Sequence, residues 1–143
     1  MHPVRLIAIA LISCALCLVA APLAASPQAA ILGEWWTEGK EGRIRFVRAE
    51  DGTYQGILVW GSNPGKDVNN PDPKRRNLSV LGSVLIWHLR YDDGAYVDGY
   101  VYNPRDGDTY RMDAELTGPN ALKIRGYLGI RLLGQSQTWV RAE

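Results

Sequence analysis

From Leu32 onward, apolar and polar residues alternate in short runs divided by turn residues, and no run of useful length repeats at helical spacing. Eight strand-like segments follow one another: GEWWTE, RIRFVRA, TYQGILVW, SVLIWHLRY, AYVDGYVY, DTYRMDAELT, ALKIRGYLGI and LGQSQTWVR. The alternation is clearest late in the chain. Tyr110, Met112, Ala114 and Leu116 share one face, with Thr109, Arg111, Asp113 and Glu115 on the other. In the next segment Leu122, Ile124 and Leu128 oppose Lys123 and Arg125. Leu85, Trp87, Leu89 and Tyr91 form a further apolar row, which sets His88 beside Ile86 and Arg90. Asp-Gly pairs at 51–52, 93–94 and 106–107 mark hairpins, because Gly supplies the positive φ that tight turns need.

Eight segments joined mostly by hairpins predict an all-β, antiparallel up-and-down meander. An open meander leaves two unpaired edges, and closing it into an eight-stranded barrel removes both. Such a barrel is just wide enough to be filled by side chains or to hold one small ligand. Gly56, Gly99 and Gly126 suit the bends and close approaches of a small barrel. The competing architecture is a two-sheet β-sandwich.

The first 25 residues stand apart. One basic residue, Arg5, precedes an apolar run from Leu6 to Ala21 that ends in Pro22 and small residues. This is the pattern of a signal peptide cleaved after Ala25, leaving residues 26–143 as a single domain, periplasmic or secreted. The alternative is a lipid anchor on Cys14, from the lipobox-like LISC. Both cysteines, Cys14 and Cys17, lie in this leader, so the exported domain relies on its core rather than on disulfides. The chain carries 16 Lys and Arg against 15 Asp and Glu, and loss of Arg5 brings the charge to about zero. Nothing in that balance points to nucleic acid or to an anionic membrane. Lys123, Arg125, Arg111 and Glu115 on the presumed outer face argue against a membrane-spanning barrel. Five Trp and seven Tyr suit a β-rich fold with aromatic lumen or groove surfaces.

In a closed meander the first and last strands are neighbours, which brings Trp35 next to Arg141. A guanidinium on an indole face gains roughly 0.5–2 kcal/mol and its fork can cap backbone carbonyls. Gly33-x-Trp35 with Arg141 resembles the closed-end signature of lipocalin-like (calycin) barrels. The ordered set GEWWTE, YQGILVW, NPDPKRRN, LGSVLIW, GYVYNPRDGDTYRM, LKIRGYLGI and GQSQTWVR is similar, more narrowly, to the bacterial secreted family called domain of unknown function 2147. That resemblance spans essentially all of residues 26–143. Where the family carries a second Arg and a Pro after NPDP, this chain has Leu78 and Ser79. The resemblance implies a fold and a compartment and no chemistry.

No cofactor is implied by the residues, and no catalytic constellation stands out. Outside the leader there is one His, His88, on a strand, and no Gly-x-Ser-x-Gly, phosphate loop or Cys nucleophile. The expectation is a protein that is not an enzyme. The candidate sites are a loop and a lumen. The connection from Gly61 to Asn77 is long enough to be functional. In it Asn70 and Asp72 are expected to shape a rigid lid, with Arg76 reaching inward to a carboxylate or a ligand anion. Strand parity puts Leu133, Gln135, Gln137 and Trp139 on the side of Arg141, so two amides enter the barrel with it if Arg141 points in. Trp60 and Trp87 flank the loop near the mouth opposite the Trp35–Arg141 end. Two readings result. One is an exported barrel binding a small apolar or amphipathic ligand in its mouth through Trp60, Asn70, Asp72, Arg76, Trp87, Gln135 and Gln137. The other is an envelope structural protein with a solid barrel and a loop, 61–77, that meets a protein partner.

Overall fold

In a computed structural model, which describes residues 20–21, 26–127 and 135–143, eight antiparallel strands close into a single barrel in chain order. The strands are β1 (Gly33–Trp36), β2 (Gly42–Arg48), β3 (Tyr54–Gly61), β4 (Val84–Asp92), β5 (Ala95–Asn103), β6 (Asp108–Gly118), β7 (Ala121–Tyr127) and β8 (Gln135–Arg141). Each pairs with the next, and β1 pairs with β8 through Trp35↔Arg141 and Trp36↔Val140. The Asp-Gly turns carry the backbone that Gly permits: φ is 85° at Gly52, 86° at Gly94 and 76° at Gly107. The architecture is the all-β closed barrel and not the sandwich.

Strand parity breaks in β4 and, in step with it, in β5. His88 and Asp98, neighbours on β4 and β5, both have φ of 60°, and His88 Nδ1 lies 3.1 Å from the Asp98 carbonyl oxygen. This bulge resets which side chains face inward. Ile86 is buried before it and Leu89 after it, while Trp87 turns outward to stack on Tyr100 at 5.8 Å. The row Leu85, Trp87, Leu89, Tyr91 is therefore not one face, and His88 does not share a side with Ile86. Beside the bulge the strands approach so closely that a Cβ on Gly99 would sit 2.6 Å from Leu89 Cδ1. Gly56 is similar, 2.9 Å from Ile44, whereas Gly126 has room.

The end of the barrel where β1 begins and β8 finishes is solid. Trp35, Tyr54, Tyr96, Phe46, Leu89, Met112 and Leu122 fill it, and Tyr96 meets both Tyr54 and Tyr91 edge to face. A 3₁₀ turn at Pro27–Ile31 plugs this end. Ile31 is fully buried, its N–H donates to Tyr96 Oη (3.2 Å), and that hydroxyl donates to the Gln28 carbonyl (2.9 Å). Arg141 lies 4.2 Å from the Trp35 ring centroid. It donates to the carbonyls of Leu32 (2.9 Å), Ala30 (2.8 Å) and Pro119 (3.1 Å). Gly33, with φ of 106°, gives the guanidinium its passage, since a Cβ there would stand 3.3 Å from Arg141 Nη1.

Candidate functional site

The opposite end is open. A cavity of about 1240 Å³, continuous with solvent, occupies the upper lumen. Ile44, Leu58, Val80, Ile86, Ile124 and Trp139 make its apolar floor, where inward positions of β2, β3, β4, β7 and β8 converge. Its rim is polar: Glu41, Tyr102, Asn103, Arg105, Tyr110, Gln135 and Gln137. Gln137 Oε1 accepts from Trp139 Nε1 at 3.0 Å, which ties a rim amide to the floor. Arg105, on the β5–β6 turn, pairs across the mouth with Glu41 on the β1–β2 turn.

The β3–β4 connection crosses this mouth. It runs from Ser62 to Ser83, longer than the expected 61–77 because residues 78–82, ahead of the expected strand SVLIWHLRY, belong to it as well. A small ribbon forms within it, with Lys66 bridged to Ser79 and Asp67 N–H donating to the Leu78 carbonyl at 2.9 Å. Val80 tucks back into the mouth, almost fully buried. Asp67, also buried, accepts from Tyr102 Oη (2.6 Å) and from Asn70 Nδ2 (2.7 Å). Asn69 Nδ2 donates to the carbonyls of Pro104 (3.2 Å) and Arg105 (3.0 Å). Two side chains thus fasten the loop to β5 and its hairpin.

The expected site residues divide between mouth and elsewhere. Gln135 and Gln137 line the cavity. Asn70 Oδ1 accepts from Asp72 N–H, and Asp72 Oδ1 from Lys74 N–H, so both side chains shape the loop from within. Arg76 does not reach a carboxylate: its Nε donates to the Asn70 carbonyl at 2.8 Å, a clasp within the loop. Trp60 and Trp87 do not wall the mouth. Trp60 packs on Trp36 at 5.4 Å on the outer surface, with Arg43 over Trp36, and Trp87 lies outside with Tyr100 and Arg111. Leu133 lies outside the described residues. Asp67, Asn69 and Tyr102 were missed, because the Tyr102–Asp67 bond joins positions 35 apart and no local motif marks it. Among the described residues no group of three His, Cys, Asp or Glu could hold a metal ion. No helix there is long and apolar enough to cross a membrane.

Burial is the main reason that Tyr102 is pushed up to about 12, and its bond to Asp67 adds to this; burial likewise lifts Tyr96 to about 12. A raised folded-state value favours the protonated form. Its contribution to stability is whole below the ordinary value of 10.0 and disappears as the pH climbs through about 12. Stability should therefore fall between those limits, in step with tyrosinate absorbance. Tyr102→Phe should shrink the loss to the Tyr96 share and, at neutral pH, speed hydrogen exchange across 62–83. An alkaline melt identical in wild type and variant would show that Tyr102 carries none of it.

No curated protein matches the sequence. Among solved structures, protein HP1028 from the human pathogen Helicobacter pylori, described as belonging to the lipocalin family, superposes with a TM-score of 0.70. The two are 25% identical over 79% of this chain and 83% of the other. The family model for an uncharacterized protein conserved in bacteria, DUF2147, matches residues 33–141, which is the whole barrel from the first residue of β1 to the last of β8. The chain belongs to the DUF2147 family, and its fold is a lipocalin-like barrel.

Proposed function

We propose that this protein is an exported binder of a small apolar or amphipathic molecule, held in the barrel mouth beneath the 62–83 loop. The observation that carries the reading is the division of the lumen. The closed half is packed solid, yet the open half leaves a cavity with an apolar floor and a polar rim. Small-molecule sites combine those features at volumes of roughly 300–1,000 Å³, and this mouth, open to solvent, is larger at about 1240 Å³. Apolar groups of a ligand would rest on Ile124 and Trp139, and a polar end would meet Gln135, Gln137 and Tyr110. The leader, residues 1–25, supports export, so the working form is residues 26–143. Binding requires no catalytic group, and we assign none.

Gly126 provides the test. It lines the cavity, and among the described residues a Cβ there would meet only Val101 Cγ1, at 3.9 Å. Gly126→Leu should therefore fill the mouth without disturbing the wall. Protein recovered from the host's envelope fraction and examined by native mass spectrometry should show the mass of residues 26–143 plus a small adduct. In parallel, binding of N-phenyl-1-naphthylamine should weaken at least about tenfold in Gly126→Leu at an unchanged melting temperature. An absent adduct together with equal dye binding in both proteins would sink the mouth as a ligand site. A mass that retains the leader would sink export.

A further inference from the structure

We infer that the outer surface of the 62–83 loop is a docking surface for an anionic lipid bilayer, which it meets mouth first. The inference stands on the outside of the loop and does not depend on the cavity holding a ligand.

The first observation is exposed aliphatic surface gathered on one segment. Among the described residues, three of the six exposed large apolar side chains lie on this loop: Val68 at 62%, Leu78 at 54% and Leu81 at 45%. Two of them lie on the ribbon, Leu78 opposite Asp67 and Val68 one residue beyond it. These three tips are turned to water although Val80, in the same stretch, is buried. Trp60, 40% exposed at the mouth end of β3, adds an amphipathic ring of the kind that settles at a bilayer interface.

The second observation is charge. The whole chain is almost neutral, but this segment is not. Lys66, Lys74, Arg75 and Arg76 are all exposed. Its acidic residues are turned to internal use: Asp67 is buried under Tyr102 and Asn70, and Asp72 caps the 3₁₀ turn Pro73–Arg75. Arg76 spends its donors on backbone carbonyls and keeps its charge. Leu78 N–H donates to the Arg75 carbonyl, so the cations lie beside the apolar tips. Cations next to short aliphatic tips suit a surface that is anionic outside and apolar just beneath. Residues 62–83 contain neither Trp nor Tyr, so the exposed surface of the loop itself is aliphatic and cationic. Of the rim acids, Glu41 is paired with Arg105, while Asp106, bonded to the neutral Tyr110 and Asn103, keeps its negative charge and leaves the contact to the four loop cations.

Flotation of the purified full chain with vesicles tests the inference. Vesicles of phosphatidylcholine with about a third phosphatidylglycerol should carry the protein at low salt, and pure phosphatidylcholine should not. Each cation near such a surface contributes about fivefold in affinity, so Lys74→Gln with Arg75→Gln should weaken binding roughly thirtyfold. Leu78→Asp should abolish it at an unchanged melting temperature, since the side chain is exposed. Lys123→Gln, on the outer wall of β7, should change nothing. Val68→Asp serves as a second apolar variant should Leu78→Asp lower the melt. Absence of flotation with either lipid overturns the proposal and leaves the loop to a protein partner. Flotation that survives all of the loop substitutions also overturns it, and assigns the binding to the apolar leader.

Discussion

Trp35→Ala should cost about 3–5 kcal/mol, the largest loss expected from any single truncation in the barrel. Trp35 is fully buried at the point where the first and last strands meet, so the change opens a cavity that rigid strands cannot collapse. Its indole N–H donates to the Ile31 carbonyl at 2.8 Å, and its loss unpairs the plug as well. Arg141→Ala should cost less, about 1–3 kcal/mol, because the indole stays while three carbonyls lose a charged donor. The two residues share the contact at 4.2 Å, so the double variant should fall short of the sum by roughly 0.5–3 kcal/mol. Urea unfolding of the four proteins measures this directly. A coupling energy of zero would mean that the guanidinium draws nothing from the ring.

Gly107→Ala should release the mouth loop. Gly107 has φ of 76°, and a Cβ on it would stand 2.0 Å from the Asn69 carbonyl oxygen. That neighbour is backbone, so the hairpin and the loop must separate. The separation breaks the bonds from Asn69 to Pro104 and Arg105 and slackens the one from Tyr102 to Asp67. Strain at a positive φ together with two or three lost hydrogen bonds amounts to about 2–4 kcal/mol. Hydrogen exchange should rise from Lys66 to Val80 while the closed end stays protected. Asn69→Ala removes only the side-chain bonds and should cost about 1–2 kcal/mol, with a milder rise. Equal protection in wild type and Gly107→Ala would mean that the loop is held in place by something other than this hairpin.

The barrel was readable in the sequence because its signals are local. Each Asp-Gly turn lies within four residues, and period-two alternation survives wherever a strand is regular, as in β6 and β7. Counting parity across β4 failed because His88 and Asp98 adopt a left-handed backbone, which His and Asp tolerate better than most residues but which no local motif places at these two positions. Trp60 and Trp87 are expected near the mouth because they flank the long loop in sequence, which does not decide the side of the wall they face. Here the outer wall holds them, with Arg43 and Arg111 over the neighbouring rings Trp36 and Tyr100. The plug at Pro27–Ile31 went unseen because it follows the apolar leader directly and carries no strand pattern of its own. The mouth was legible only through β8, where one register places Gln135 and Gln137 together.

A ribosome delivers β1 first and β8 last. The Leu32 carbonyl waits for a guanidinium 109 residues further along the chain, and until that residue arrives β1 has one neighbour and an open edge. Contacts of such long range are slow to form, since a large loop must close before any of them is gained. Six or seven finished strands therefore make no finished barrel. A growing chain of this kind remains loose, and threadable through a narrow pore, for almost its entire synthesis. The stack of Arg141 on Trp35 then acts as the final lock, turned only when the polypeptide is nearly complete.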